Sequence, residues 1–281
     1  MPALAISGID HSLIGVRDLE AACLAWQRLG FTVTPRGRHI GWGTANYCLM
    51  FDSGYVELLG IVDPKQFTND LDKFLLQREG LMGLAFATSD AAALAKQLAA
   101  AGLHPDGPND LKRLLELPEG DVLPAFKLAF LPPAELPDLR AFFCQHLTPE
   151  LVRRPDWLSH ANGAKRLAKL TVASDRPAAL AAAYGRIFGS EALRPEGESL
   201  AIRIGSSELR FTTPDALAAK YGITLPVQKT PWMAVQTVAV ADLGAARAVL
   251  RRNGIDATDG GRHLLVGPEA ATGCLLEFVG D

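Results

Sequence analysis

The chain has 281 residues, of which 48% are hydrophobic and 21% are charged. This composition is typical of a globular protein whose core is large enough to need no disulfide or structural metal. The net charge of −3 and the pI of about 6.1 exclude the strongly basic surface that nucleic-acid binding requires. The four cysteines contain no CxxC pair, which excludes a zinc ribbon and a thioredoxin-type motif.

Neither a membrane segment nor a targeting segment is predicted. No stretch approaches the ~20 consecutive apolar residues of a membrane span. The first residues lack the basic region of a signal peptide, and their apolar run is broken by Gly8 and Asp10. We therefore expect a cytoplasmic protein that has neither nucleic acid nor membrane as a partner.

One local pattern occurs four times along the chain. A short apolar strand is followed by an aspartate, an alanine-rich helix and a glycine. The aspartate is predicted to cap the helix, because its side-chain oxygen accepts hydrogen bonds from the free N–H groups of the first turn. The four aspartates are Asp18, Asp90, Asp175 and Asp242.

The elements predicted around these aspartates alternate between helices and strands. A glycine just beyond each helix suits the left-handed conformation that commonly ends one. The helices are predicted over residues 19–29, 91–101, 177–188 and 243–253. Apolar runs typical of strands occupy residues 45–51, 55–61, 139–146, 263–266 and 274–279.

This repeated unit resembles the vicinal-oxygen-chelate superfamily, and residues 43–47, 54–60 and 160–164 are similar to its glyoxalase-like domain family. The resemblance implies an α+β fold of four βαβββ modules, which form two open, half-barrel-like mixed sheets with helices packed outside. Residues 1–150 would form one half from modules 1 and 2, and residues 151–281 the other half from modules 3 and 4. Pairing of module 1 with 4, and of 2 with 3, is the alternative.

The resemblance also implies a divalent metal, Zn, Mn, Ni or Fe(II), held by the first and last strands of a module. The first-strand ligand stands seven residues before the capping aspartate, which gives His11. The last-strand ligand follows a glycine, which gives Glu57 in module 1 and Glu277 in module 4. If modules 1 and 2 share a barrel, Gln145 or His146 is the expected third ligand. If modules 1 and 4 share one, Glu277 is expected instead, with His263 beside it.

Further residues are candidates for catalytic, pocket-lining or structural roles. Glu57 and Glu277 are the candidate catalytic groups, which would hold the metal or move a proton next to a carbonyl group. The residues expected to line a substrate pocket are Trp42, Tyr47, His160 and His263. Asn162 and Gly163 are predicted to form a tight turn, and His39 is predicted to be exposed.

Two functions from different classes follow. The first is a metal-dependent enzyme of the glyoxalase-like type that acts on a small oxygenated organic substrate, as a lyase, isomerase or dioxygenase. The alternative is a metal-free protein that binds a small molecule or confers resistance through the same cleft, which the incomplete ligand set favours. A third interpretation concerns the second half, whose strands contain few polar residues. It would be a degenerate copy that has only a structural role or forms the contact in a homodimer.

Overall fold

The computed structural model describes residues 4–222 and 228–281, and the first eight of its strands form a closed barrel. Around the barrel the strand order is β1-β4-β3-β2-β6-β7-β8-β5. These strands are β1 (Gly8–Gly15), β2 (Gly37–His39), β3 (Thr44–Met50), β4 (Tyr55–Ile61), β5 (Gly80–Ala87), β6 (Asp106–Leu115), β7 (Ala125–Phe130) and β8 (Ala141–His146).

The later strands form a second eight-stranded sheet, which stays open. Its order is β10-β11-β12-β9-β13-β16-β15-β14, so that β10 and β14 are the edges. The strands are β9 (Ala164–Ala173), β10 (Leu193–Glu196), β11 (Ser199–Ile204), β12 (Ser207–Thr212), β13 (Trp232–Val240), β14 (Ala257–Asp259), β15 (His263–Val266) and β16 (Leu275–Gly280).

Six α-helices lie within the described ranges, and none of them is long and apolar enough to cross a lipid bilayer. Asp18, Asp90 and Asp242 cap helices as predicted, each accepting a hydrogen bond from the first helical turn. The prediction for Asp175 is wrong, because a 3₁₀ turn precedes the fourth helix and Asp175 accepts a hydrogen bond from Thr230 instead. The helices are α1 (Leu19–Arg28), α2 (Leu71–Gln77), α3 (Ala91–Ala100), α4 (Ala181–Phe188), α5 (Pro214–Tyr221) and α6 (Leu243–Arg252).

The fold is therefore mixed α+β, but the first sheet closes where an open one was expected. Strand β1 is parallel to β4 on one side and antiparallel to β5 on the other. The short strand β2 then pairs with β6 and completes the ring. Each sheet uses consecutive strands of the chain, so His11 on β1 and Glu277 on β16 belong to different sheets. A domain boundary at residue 150 stays a prediction.

A continuous apolar core and several buried polar contacts join the barrel to the second sheet. The indole Nε1 of Trp26 on α1 donates to the hydroxyl of Thr272, 2.9 Å away. Ser12 on β1 donates to the side chain of Gln236 on β13, over 2.5 Å. The turn predicted at Asn162 is present: its amide donates to the carbonyl of Leu29 and its oxygen accepts from the Ala164 N–H. These contacts attach the strands and the first helix of the barrel to the second half of the chain.

Candidate active site in the first barrel

His11 and Glu57 face each other inside the first barrel. His11 pairs with Tyr55, and Glu57 lies two residues further along β4, on the same face of the sheet. The distance from His11 Nε2 to Glu57 Oε2 is 3.4 Å, and both side chains are almost fully buried. The His11 ring stacks on Tyr55, with 4.4 Å between ring centroids. The register of two parallel strands therefore brings together the two residues that the sequence nominated.

Asp10 fixes the orientation of the His11 ring. The pairing of β1 with β5 shifts in register between Ile9 and His11, and this irregularity lets the neighbouring side chains of Asp10 and His11 approach each other. The Asp10 carboxylate lies 2.7 Å from His11 Nδ1 and 3.1 Å from His146 Nε2. Burial acts to raise the pKa of Asp10, but the two histidines outweigh it and hold that pKa well below its usual range. A charged acceptor at Nδ1 leaves His11 Nε2 directed at Glu57.

Glu57 is held from its other side by an amide and a second imidazole. Its Oε1 accepts a hydrogen bond of 2.5 Å from Asn46 and lies 3.7 Å from His39 Nε2. Burial acts to raise the pKa of Glu57, but the net shift is downward because His11, His39 and Asn46 favour the carboxylate. His39 is fixed by Thr44, whose hydroxyl is 2.9 Å from Nδ1. The prediction that His39 is exposed is wrong, since only 10% of its side chain is accessible.

Arg113 is a buried cation in the same interior. It lies opposite His39 in the pairing of β2 with β6, and only 3% of it is accessible. Its Nη1 donates to the sulfur of Cys48 over 3.1 Å, and its Nε has no partner within the described residues. Burial raises the pKa of Cys48, so this acceptor is a neutral thiol, which is a weak one. The barrel therefore contains a charged donor that is poorly satisfied.

These polar groups border a small cavity with apolar walls. The cavity measures about 60 Å³, enough for a few water molecules or a small organic group. Trp42 lines the cavity beside the polar groups His11, His39, Glu57 and Arg113, and its contact with a substrate stays a prediction. The part of the wall that comes from β7 and β8 consists of Phe126, Leu128, Phe130, Phe142 and Cys144.

A second cluster, Asp10, Cys144 and His146, is compact but poorly suited to a metal. Among the described residues it is the only group of three such side chains whose candidate ligand atoms all lie within 4.8 Å of one another. Asp10, however, already accepts from both histidines. Burial and the nearby carboxylates raise the pKa of Cys144 well above its ordinary value, which disfavours the thiolate form that binds a metal. We interpret this cluster as the support of His11.

His11 and Glu57 fit a divalent metal better. Two ligands of one ion stand on the order of 3 Å apart, close to the separation of His11 Nε2 and Glu57 Oε2. The Asp10 carboxylate behind His11 completes the carboxylate–histidine arrangement common behind protein metal ligands. The neighbouring strands β5 and β8 present Ala85 and Phe142 to this interior, which cannot bind a metal. The chain therefore offers two ligands to an ion, with His39 next to them.

Three residues predicted near the site point elsewhere. Gln145 accepts the Ala91 N–H at the start of α3, outside the barrel. Tyr47 lies on the face of β3 towards α1 and donates to Glu20 over 2.8 Å. His160 accepts from the Thr32 N–H and donates to the carbonyl of Met50, so both ring nitrogens are used in holding the chain.

Glu277 and His263 belong to the second sheet and do not reach the barrel cavity. Glu277 accepts a hydrogen bond of 2.6 Å from Thr237 and lies 3.4 Å from Lys169 Nζ. His263 is on β15, near the ring of Tyr221 on α5. Of the four groups considered as partners for His11 and Glu57, the structure therefore brings only His146 into the barrel, where it contacts Asp10 rather than Glu57.

A protein family described as "Glyoxalase-like domain" matches residues 9–188 of the chain. The match covers more than half of the sequence and includes every polar residue of the barrel cavity. The chain belongs to the glyoxalase-like domain family. No curated protein matches it.

Solved structures similar to this glyoxalase-like protein share its fold at low sequence identity. A hypothetical protein from Staphylococcus aureus is 11% identical with a TM-score of 0.69, over 97% of this chain and 98% of that one. A 4-hydroxymandelate synthase mutant from Streptomyces coelicolor is 12% identical with a TM-score of 0.59, over 99% and 93%. A fusion of a xylose isomerase-like TIM barrel with 4-hydroxyphenylpyruvate dioxygenase is 15% identical with a TM-score of 0.59, over 99% and 49%.

Proposed function

We propose that the first barrel is the active site of a divalent-metal-dependent enzyme that acts on a small oxygenated organic molecule. The observation that carries the proposal is the approach of His11 Nε2 to Glu57 Oε2 inside a closed barrel, with His11 Nδ1 committed to Asp10. Burying a carboxylate so completely costs free energy unless a cation or hydrogen-bond donors offset it. A metal ion held by His11 and Glu57 would offset that cost.

A bound Zn, Mn, Ni or Fe(II) ion would act as a Lewis acid that polarises a substrate oxygen. The rest of the arrangement comes from the chain. Asp10 holds the His11 ring and Asn46 holds the Glu57 carboxylate, so neither group has to reorganise during the reaction. His39 Nε2 faces Glu57 across 3.7 Å and, with Thr44 at Nδ1, is placed to take or return a proton at a substrate carbon or oxygen.

This arrangement favours an isomerase or a lyase among the three reaction types. Both need a proton acceptor beside polarised oxygen, which His39 supplies. A dioxygenase usually holds its iron with two histidines and one carboxylate. His146 contacts Asp10 and His263 lies in the other sheet, so the second histidine beside Glu57 is His39. Isomerase or lyase chemistry requires that His39 stay free as the proton acceptor, whereas a dioxygenase would use it as a ligand of the iron.

Metal analysis of protein purified without added metal or chelator tests the proposal. We expect about one divalent ion per chain in the wild type and loss of that ion in His11→Ala and in Glu57→Gln. Matched controls are His104→Ala, an exposed histidine paired with Glu135, and Glu277→Gln in the second sheet; both should keep the ion. Wild-type protein that binds none of Zn, Mn, Ni or Fe(II) when titrated would refute metal dependence.

A metal-free binding protein is the second candidate, and one observation favours it. Arg113 is a cation in the cavity, and within the described residues its Nε has no partner. A ligand could then be held by Arg113 and the aromatic walls alone. Saturable ligand binding by protein that contains no metal, unchanged in His11→Ala, would favour this candidate.

We also infer that the chain consists of four βαβββ units. Each unit would start at β1, β5, β9 or β13, and the helix that follows is α1, α3, α4 or α6. In each unit the first and last strands are parallel neighbours, as in the pairs β1–β4 and β13–β16. The helices α2 and α5 would then be additions that follow the first and third units.

A further inference from the structure

We propose that Arg113 binds a carboxylate group of the ligand, so that the molecules accepted by the barrel are small organic carboxylates. The inference rests on the proposed function in one respect, namely that the reacting atoms of the ligand lie next to His11 and Glu57. Arg113 was not nominated by the sequence. It is the cation that lines the barrel cavity.

The first support is that no carboxylate contacts Arg113 directly within the described residues, although the charge of Glu57 acts on it from across the cavity. Within the described residues no carboxylate oxygen comes within 4.0 Å of its nitrogens, and its one hydrogen-bond acceptor is the Cys48 thiol. A buried guanidinium without a carboxylate is costly, and such a charge is normally paired. The planar donor fork of arginine matches the two oxygens of a carboxylate. An incoming carboxylate would supply the missing partner.

The second support is the position of Arg113 relative to the proposed reacting groups. Arg113 is paired with His39 across β6 and β2, and both residues line the cavity that also contains His11 and Glu57. A carboxylate held by Arg113 would therefore place the rest of the ligand next to these groups.

The third support comes from the walls and the volume. Phe126 lies beneath the guanidinium, with 5.8 Å from Arg113 Cζ to the ring centroid, and Phe142 contacts the ring of His11. The apolar part of a ligand would lie on these rings while its carboxylate meets Arg113. Because the cavity measures about 60 Å³, we expect a preference for acids of about two to four carbons.

Nuclear magnetic resonance of the arginine Nε–H groups tests this inference on the intact protein. The Arg113 signal would be assigned from its absence in Arg113→Lys, which has no Nε. Sodium propanoate would be titrated while sodium chloride keeps the ionic strength constant. We expect the chemical shift of the Arg113 signal to change and to reach a plateau. The uncharged propanamide, which has nearly the same shape, should leave it in place.

Calorimetry of the same acid gives the size of the effect. We expect Arg113→Gln to weaken propanoate binding about tenfold or more, because a hydrogen bond to a charged group is lost. Arg113→Lys should recover part of the lost affinity for propanoate. The control Arg203→Gln, at an exposed position of the second sheet, should bind propanoate as the wild type does. If Arg113→Gln does not fold, the wild-type titration and Arg113→Lys decide the question.

Metal content measured in the same samples separates the two proposals. Two outcomes would overturn the carboxylate inference and leave metal binding intact. In the first, the wild type contains metal but its Arg113 signal does not change with propanoate. In the second, Arg113→Gln binds propanoate as tightly as the wild type does. Wild type that contains no metal but shows Arg113-dependent binding of propanoate would support the inference and refute the metal-dependent function.

Discussion

Two buried glutamates, Glu57 in the barrel and Glu277 in the second sheet, occupy matching places with different surroundings. Each lies on a strand parallel to its neighbour, opposite Leu13 in one case and Thr237 in the other. Their accessible fractions are 4% and 3%. Two histidines and an amide surround Glu57, whereas a hydroxyl and two lysine ammonium groups approach Glu277.

The comparison shows that burial of a carboxylate does not by itself mark a site. Lys169 and Lys220 lie 3.4 and 3.8 Å from Glu277, so its charge is compensated within the protein. Lys220 comes from α5, whose Leu217 and Tyr221 also pack on this sheet. Around Glu57 the neighbours are imidazoles that can bind a metal, and a cavity remains beside them. In the second sheet, the charge of Glu277 is therefore compensated by lysines, and α5 packs over the sheet. In the barrel, a cavity beside Glu57 remains open to a metal or a ligand.

The largest expected effect on stability is that of Asp10→Asn. The substitution leaves His11 and His146 without the carboxylate that contacts both rings. Breaking such a buried pair should lower the free energy of unfolding by about 3–5 kcal/mol. Urea unfolding at pH 7 measures it, with the exposed Asp175→Asn as the control. A loss under about 1 kcal/mol, the scale of an exposed pair, would show that Asp10 does not fix the ring.

The same substitution should also weaken metal binding without removing a proposed ligand. Loss of the carboxylate behind a metal-binding histidine typically lowers affinity about 10- to 100-fold. Competition with a fluorescent chelator would compare Asp10→Asn with the wild type, and Lys169→Gln in the second sheet is the control. An unchanged affinity in Asp10→Asn would mean that His11 does not bind the ion through Nε2.

A smaller loss of stability is expected for Glu277→Gln. Glutamine can still accept from Thr237, but the interaction with Lys169 is lost, at about 1.5–3 kcal/mol. Burial raises the pKa of Glu277, yet the lysines and hydroxyls lower it further, so the net shift is downward. The stabilisation is therefore fully present above about pH 4.3, the ordinary pKa of glutamate, and is lost as the pH falls through the lowered pKa of the folded state. Urea unfolding of both proteins at pH 7 and pH 3 tests this: the difference between them should be smaller at pH 3, and a difference that does not decrease would contradict it.

The smallest effect concerns the titration of Lys220. Burial and the neighbouring Lys169 lower the pKa of Lys220 to about 8, against the attraction of Glu277. Because unfolded lysine titrates near 10.4, its contribution to stability should increase as the pH rises between these values. Acetic anhydride labelling should show a midpoint near 8, and a lower one in Glu277→Gln. A midpoint equal to that of a free lysine side chain would contradict the burial of this group.

The sequence predicted those parts of the site that depend on one module. The family resemblance points to His11 seven residues before Asp18 and to Glu57 after Gly54. Both lie on neighbouring strands of the same unit, so their convergence follows from local register. Three of the four helix caps were predicted for the same reason, since a cap is formed by residues adjacent in the chain.

The parts that were missed depend on pairings across the barrel. Arg113 and His39 are 74 positions apart and meet only because β2 pairs with β6. The start of β6 contains Gly107 and Pro108 and several charged residues, so it was not recognised as a strand. The alternation of Leu111, Arg113 and Leu115 was the available signal, because it places the arginine on the apolar face.

Crystallography with anomalous scattering from bound Mn or Zn tests the central claim most directly. We expect one strong peak inside the barrel. Its distance to His11 Nε2 and to a Glu57 carboxylate oxygen should be roughly 2.0–2.2 Å, which is typical of nitrogen and oxygen ligands. A peak at Asp10, Cys144 and His146, a peak beside Glu277, or no peak in crystals grown with excess metal would contradict it.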